Sequence, residues 1–293
     1  MYYLKLPTRS KAPEKRLRFI KNGELIFDLS VRYDDENPDC YYYYPVFADG
    51  VSITVDGVEN PKIAVCPAPE FSEDERMSKY RPKFHFTVNK GWHNDPNGLL
   101  YYRGRYHMFF QYNPVGSSWG NMHWGHAVSE DLVHWTEFGI ALYPDKLGTM
   151  YSGSAIVDYE NASGLKSGED DPILLFYTAA GGKSVLSEGR NFTQCMAYST
   201  DGGITFKKYD KNPVIPHIKA ENRDPKVVRD GEGGYFCALY LDGNEYALWH
   251  SDNLLDWSPL QTLTLPGDGE CPDFYPRSEE HTSELQSPNC ISY

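Results

Sequence analysis

Short runs of alternating apolar and polar positions, bounded by Gly, Asn, Asp and Pro, recur along the chain, and no stretch carries the periodicity of a long amphipathic helix. The pattern predicts an all-β protein. Its clearest early case is RLRFIKNGELIFDLSV, where Asn22-Gly23 separates two apolar-rich runs as a type I′ hairpin turn requires. Leu25, Phe27, Leu29 and Val31 alternate with other residues and are expected to face one core. Val51, Ile53 and Val55 repeat the pattern before a turn at Asp56-Gly57. Residues 1–65 are therefore expected to form a small β-rich N-terminal domain that serves packing, with accessory sugar binding by the run Tyr41 to Tyr44 as the secondary reading. Residues 66–83, CPAPEFSEDERMSKYRPK, are rich in Pro and charge and read as a linker.

From residue 84 the chain repeats itself. HAVSEDLVHW, MAYSTDGGITF and LWHSDNLLDW share an apolar strand, a Ser with a nearby Asp, and a short turn before an aromatic; their serines are Ser129, Ser199 and Ser251. Each segment follows a turn-rich strand and a strongly apolar one, and a further unit begins at ECPDFYP. About four strands per unit at this spacing is the signature of propeller blades around a channel. In that alignment Asp95, Asp224 and Glu270 all fall near the start of a blade's first strand, the innermost strand of propellers generally. Three carboxylates are thereby expected to converge at one channel mouth. Asp95 lies in WHNDPNG, whose Asn-Asp-Pro-Asn-Gly composition predicts a stiff turn. One Asp before Pro reads as a turn cap, but three acids in matching repeat positions do not.

The bulk properties remove other classes of function. A net charge of -13 argues against a nucleic-acid partner, since phosphate binding depends on clustered Lys and Arg. No apolar run approaches the length of a membrane span, and the N-terminus has no apolar leader, so a cytoplasmic protein is expected. Six cysteines are widely scattered without a CxxC pair, which fits reduced thiols. The sequence does not indicate an oligomeric state.

Two carboxylates flanking a glycosidic bond are the minimum apparatus for its hydrolysis, one as proton donor and one as nucleophile or base, and a third can hold sugar hydroxyls. Repulsion between neighbouring carboxylates is expected to raise the pKa of the less solvated one. Metal binding is the competing use of such a cluster. His123 and His126, however, are three apart in a strand-like run and point to opposite faces, and no HExxH or EF-hand loop is present, so no metal and no cofactor are expected. YSGSA (151–155) lacks the strand-to-helix context of a serine nucleophile, and Cys271 has no identifiable base.

At these residues the chain resembles glycoside hydrolase family 32, the invertases, levanases and inulinases. WHNDPNG is similar to that family's nucleophile motif, NRDPKV (222–227) to its RDP motif, and ECP (270–272) to its acid/base motif. QYNP (111–114), WGHAVSEDLVHW (124–135) and YSGS (151–154) match between them, so the resemblance covers residues 84–276. It implies a five-bladed β-propeller and a retaining mechanism on a terminal β-fructofuranosyl unit of levan, inulin or sucrose. Asp95 would be the nucleophile, Glu270 the acid/base, and Asp224, positioned by Arg223, the transition-state stabiliser. Retention calls for Asp95 and Glu270 carboxyls roughly 5 to 5.5 Å apart. The resemblance also implies that Asn94, Gln111, Trp119, Tyr151 and Ser152 line the fructose pocket, with Tyr151 where the family often has Phe. Two alternatives carry different chemistry: an inverting five-bladed arabinanase or xylosidase, and a noncatalytic fructan-binding protein.

The family's propeller is followed by a β-sandwich, whereas this sequence supplies about three blades and the start of a fourth. Residues 277–293 continue no strand pattern, and a common sequencing-library adapter translated in frame gives RSEEHTSELQS; a non-native tail is expected there. Unpaired edges are expected to make the 293-residue chain alone prone to aggregation and inactive.

Overall fold

Asn22 and Gly23 both take left-handed φ, 52° and 82°, at the turn joining β2 (Lys15–Lys21) to β3 (Glu24–Val31), as a type I′ hairpin demands. The structure is a computed structural model that describes residues 2–46, 50–71, 79–267, 269–277 and 282–286. Among them are twenty strands, and every regular element is β. Parts of the expected linker (72–78) and of the expected tail (278–281 and 287–293) lie outside the described residues.

The N-terminal unit is two three-stranded sheets. In one, β1 (Tyr3–Thr8) runs between β4 (Cys40–Pro45) and β6 (Ala64–Cys66); in the other, β2 runs between β3 and β5 (Val51–Val55). The alternating residues meet in one core of Leu4, Leu6, Leu17, Phe19, Phe27, Leu29, Val31 and Tyr44, each full burial of such a side chain stabilising by about 1.5–3 kcal/mol. That core is shared with the rest of the molecule. Val115 is part of it, Ile140 and Tyr143 pack against it, and the Tyr44 hydroxyl meets His123 Nε2 at 2.9 Å. Tyr44 of the tyrosine run is thus fully buried, while Tyr41 stays exposed.

Three four-stranded antiparallel sheets follow. The first is β7 (Trp92–Tyr102), β8 (Arg105–Asn113), β9 (His123–Ser129) and β10 (Trp135–Leu142); the second is β11 (Thr149–Val157), β12 (Ile173–Ala180), β13 (Thr193–Ser199) and β14 (Lys207–Lys208). The third is β15 (Arg223–Arg229), β16 (Tyr235–Asp242), β17 (Glu245–Ser251) and β18 (Ser258–Thr264), and a hairpin of β19 (Asp273–Arg277) and β20 (Thr282–Gln286) comes after it. Within each sheet the strands lie in chain order. The first strands face one another in turn, β7 against β11, β11 against β15 and β15 against β19, so they are the innermost strands of propeller blades. Apolar layers fill the spaces between blades: Phe109, Trp124, Leu175 and Tyr177 between the first and second, Phe176, Met196, Val227 and Cys237 between the second and third.

The repeated serines end the third strand of each blade and build the same turn. Ser129 accepts from Asp131 N–H, Ser199 from Asp201 N–H and Ser251 from Asn253 N–H. Leu132 and Leu254 occupy equivalent places with φ of 64° in both, a conformation that costs a branched residue, and blade two has Gly202 there, where φ of 72° is free of strain.

Two expectations are corrected. WHNDPNG is not a turn but the first half of β7, bulged between His93 and Pro96 and again between Asn97 and Leu100. Because β7 is an edge strand of its sheet, Pro96 forfeits no ladder partner and the local turn-forming residues go into bulges. Residues 277–293 do contain a strand: β20 pairs with β19, whose free edge offers backbone partners to a mostly polar segment.

Candidate active site

The starts of β7, β11, β15 and β19 surround a cavity of about 330 Å³ whose wall includes Asp95, Asn97, Ser152, Asp224 and Cys271. On β7 the bulge at residues 93–96 turns Asp95 into this space, where it is exposed and its Oδ2 accepts a 2.8 Å hydrogen bond from Ser152 Oγ on the neighbouring blade. Asn97 is buried beside it; its Oδ1 accepts from Gly153 N–H at 3.4 Å, and its Nδ2 has no acceptor among the described residues. A buried unpaired donor in the cavity wall is free to bond a ligand.

Asp224 is held far more tightly. Its backbone is left-handed, φ 64°, a conformation that costs a non-glycine residue energy and persists only where neighbours impose it. Those neighbours are identifiable: Thr178 Oγ1 accepts from Asp224 N–H at 3.0 Å and donates to Gln194 Oε1 at 2.6 Å, and Gln194 Nε2 donates to Asn222 O at 3.1 Å. Ser154 pins the following bulge by donating to Pro225 O and accepting from Val227 N–H, at 2.8 and 2.9 Å. The Asp224 carboxylate accepts from Cys271 N–H at 3.0 Å and from the Cys271 thiol at 3.5 Å. Burial pushes Asp224 up to about 6, against the pull of the Cys271 amide and of Arg223. Burial, and then the charge of Asp224, Asp95 and Glu270, pushes the Cys271 thiol up, which keeps it protonated and donating. Asp95 and Asp224 thus share the cavity with Cys271, which Asp224 contacts directly.

Glu270 does not line the cavity but stands exposed at its rim, where Arg223 NH2 meets its Oε1 at 2.7 Å. Arg223 also donates to Glu221 O at 2.7 Å and lies over the Tyr240 ring. The less solvated carboxyl is therefore Asp224, and burial is the main cause of its shift rather than repulsion. Next to Ser152 of the cavity wall, Tyr151 meets the edge of Trp119 at 5.8 Å and of Phe192 at 5.5 Å.

A family model described as the glycosyl hydrolases family 32 N-terminal domain matches residues 85–292. The chain belongs to glycosyl hydrolases family 32. It is 44% identical over 202 residues to a levanase of Bacillus subtilis (strain 168), covering 67% of this chain and 29% of that protein. It is 42% identical over 220 residues to an invertase of Schizosaccharomyces pombe, covering 70% and 37%. The crystal structure of exo-inulinase from Aspergillus awamori superposes with a TM-score of 0.60 at 35% identity, over 70% of this chain and 45% of that one. A β-fructofuranosidase from Schwanniomyces occidentalis, complexed with fructosyl-erythritol, gives 0.62 at 36% identity, over 70% and 41%. The chain spans less than half the length of these relatives.

Within this family 32 chain the predicted site residues divide into three places. Asp95, Ser152 and Asp224 line the cavity. Trp119, Tyr151, Arg223 and Glu270 are not in the cavity wall but are next to wall residues or in contact with such a neighbour: Tyr151 precedes Ser152, Arg223 precedes Asp224, Glu270 precedes Cys271, and Trp119, more than half exposed, packs on Tyr151. Gln111 and Asn94 support from outside: Gln111 is buried and donates to Met150 O, and Asn94 accepts from Trp92 Nε1. Sequence reading gave no role to Asn97, Thr178 or Ser154, and considered Cys271 only as a nucleophile, not as a donor to Asp224. Asn97 and Cys271 lie inside the quoted motifs, and asking which motif side chains share a face with the acids would have found them. Thr178 sits in the uniformly apolar run ILLFYTAA, where one polar residue among buried neighbours is the only signal. Among the described residues, no group of three His, Cys, Asp or Glu side chains is placed to hold a metal ion.

Proposed function

We propose that the whole protein is a retaining β-fructosidase that releases terminal fructosyl units from levan, inulin or sucrose. One observation carries the reading: Cys271, the residue next to Glu270, donates its backbone N–H to Asp224 in a cavity that Asp95 shares, which unites three separated motifs in one site. The names of the similar proteins, a levanase, an invertase and an exo-inulinase, support fructosyl hydrolysis over the arabinanase alternative.

In this reading the terminal fructosyl group occupies the cavity. An Asp95 oxygen attacks C2 as the glycosidic C–O bond breaks, and the departing oxygen takes a proton from Glu270. The product is a fructosyl ester on Asp95. Glu270, now a carboxylate, removes a proton from water, whose oxygen attacks C2 and frees Asp95. Asp224 and Asn97 meet the ring hydroxyls from the cavity wall, and Ser152 releases Asp95 to react as charge leaves its carboxylate. The Arg223 ion pair suits the carboxylate form of Glu270 that activates water; for the first step Glu270 must take up a proton and leave Arg223 before it gives that proton to the departing oxygen.

Product analysis on sucrose, inulin and levan tests this. Asp95→Ala should lower fructose release by more than about 10⁴-fold while fructan binding persists, and NMR should show the β-anomer formed first. Binding without turnover in the unaltered protein would make it a fructan-binding protein, and an inverted first product would exclude Asp95 as nucleophile.

A further inference from the structure

The N-terminal unit touches the propeller at more than its shared core. Asp28 on β3 is 4% exposed, and besides Arg16 of its own sheet it reaches the loop between β12 and β13. Its carboxylate accepts from Leu186 N–H at 3.0 Å and Val185 N–H at 3.4 Å, and is balanced by Arg16 NH1 at 2.9 Å. Two residues along the same strand, Ser30 exchanges two hydrogen bonds with Asn121: its N–H donates to Asn121 Oδ1 and its carbonyl accepts from Asn121 Nδ2, both at 2.8 Å. One strand therefore grips two loops of two different blades.

Both loops lead to Tyr151, the neighbour of Ser152 in the cavity wall. Asn121 lies two residues from Trp119, and its Nδ2 is also bonded to Asn113 Oδ1. The second loop is a turn closed by Gly182 N–H to Ser187 O, and it carries Lys183. Lys183 Nζ reaches Glu221 at 2.7 Å and lies over the Phe192 ring, and Phe192 packs on Tyr151. Glu221 in turn receives Arg223 NH1 on its carbonyl, and Arg223 holds Glu270. An unbroken series of contacts thus joins Asp28 to the acid at the cavity mouth.

We propose that the N-terminal unit is a clamp on the loops beside the cavity, with Asp28 as its positioning residue: it fixes the Lys183 loop, which reaches Tyr151 through Phe192 where Trp119 also packs, and so the surface a substrate meets on entry. The kinetic part rests on the β-fructosidase reading; the clamp itself does not. A buried carboxylate accepting two main-chain N–H groups from a surface loop stiffens that loop where surface side chains would not, because removing it leaves two amides to find water.

The test uses the whole protein with Asp28→Ala and Asp28→Asn, the latter keeping one acceptor oxygen. Hydrogen exchange at the Val185 and Leu186 amides should quicken by about tenfold or more in Asp28→Ala and by less in Asp28→Asn. KM for a fructo-oligosaccharide should rise about three- to tenfold in Asp28→Ala, with kcat within about twofold and most of KM restored in Asp28→Asn. If Asp28→Ala does not fold, Asn121→Ala loosens the other grip and should speed exchange at Ser30 while raising KM. Unchanged exchange at 185 and 186, or faster exchange with unchanged KM, overturns the clamp. An unaltered protein that turns over no fructan overturns the β-fructosidase reading instead, and the exchange measurement still decides whether Asp28 holds the loop.

Discussion

Asp95 opens onto the channel with the Ser152 hydroxyl against it, whereas Asp224, at the matching place two blades on, is buried, left-handed in backbone and held by Thr178, Cys271 and Arg223. Repetition supplies the positions and burial differentiates them. An open carboxylate can approach a carbon and accept a new bond. A buried one in a fixed frame is suited to holding hydroxyls in one geometry, and it carries a cost in stability that the open one avoids.

The largest test of that contrast is the pH dependence of stability. Asp224 is raised from its ordinary 3.8 to about 6, so its contribution is fully present below about 3.8 and is lost as pH rises through about 6. The lost part is roughly 3 kcal/mol, from about two units at 1.36 kcal/mol each. Asp224→Asn, neutral throughout, should match the parent near pH 4 and exceed it by up to that amount at pH 8, while turnover collapses. Urea midpoints between pH 4 and 8 measure the difference; a variant less stable than the parent at pH 8 would show that burial is not what distinguishes Asp224.

Next in size is the frame itself. Thr178→Val leaves Asp224 N–H and Gln194 Oε1 without their partner, for an expected loss of about 1–3 kcal/mol in denaturant unfolding. An unchanged midpoint would mean that the left-handed turn at Asp224 stands without Thr178. Smallest is the open side. Because water can replace the Ser152 hydroxyl at an exposed carboxylate, Ser152→Ala should lower stability by less than about 1 kcal/mol and slow turnover by no more than about tenfold. A loss as large as that of Thr178→Val would erase the distinction between the two acids.

What could be read from the sequence follows the range of the interactions. The Ser129, Ser199 and Ser251 turns close within four residues, so each leaves a local trace, and three copies reveal blades. The acids stood out because each falls near the start of a blade's first strand once the repeats are aligned. Thr178 acts on a residue 46 positions away and Asp28 on one 158 away, and neither has a local pattern to mark it. WHNDPNG misled for a related reason: its composition favours a turn in isolation, but pairing of Trp92, His93, Pro96 and Asn97 with β8 turns it into a bulged strand. Glu270 lies just before β19, yet its side chain goes where Arg223 takes it, and an ion pair across separate motifs is not written in either of them.

The order of strands within each sheet has a further consequence for what the channel can hold. Each of the innermost strands β7, β11, β15 and β19 pairs on one side only among the described residues, so the passage is walled by the open flanks of four sheets. Peptide N–H and C=O groups on an unpaired flank keep their need for partners. Before any side chain is considered, the backbone therefore makes this a wet passage: it favours guests that carry many hydroxyl groups and disfavours greasy ones, because a greasy guest would strip water from the peptide groups and give nothing in return.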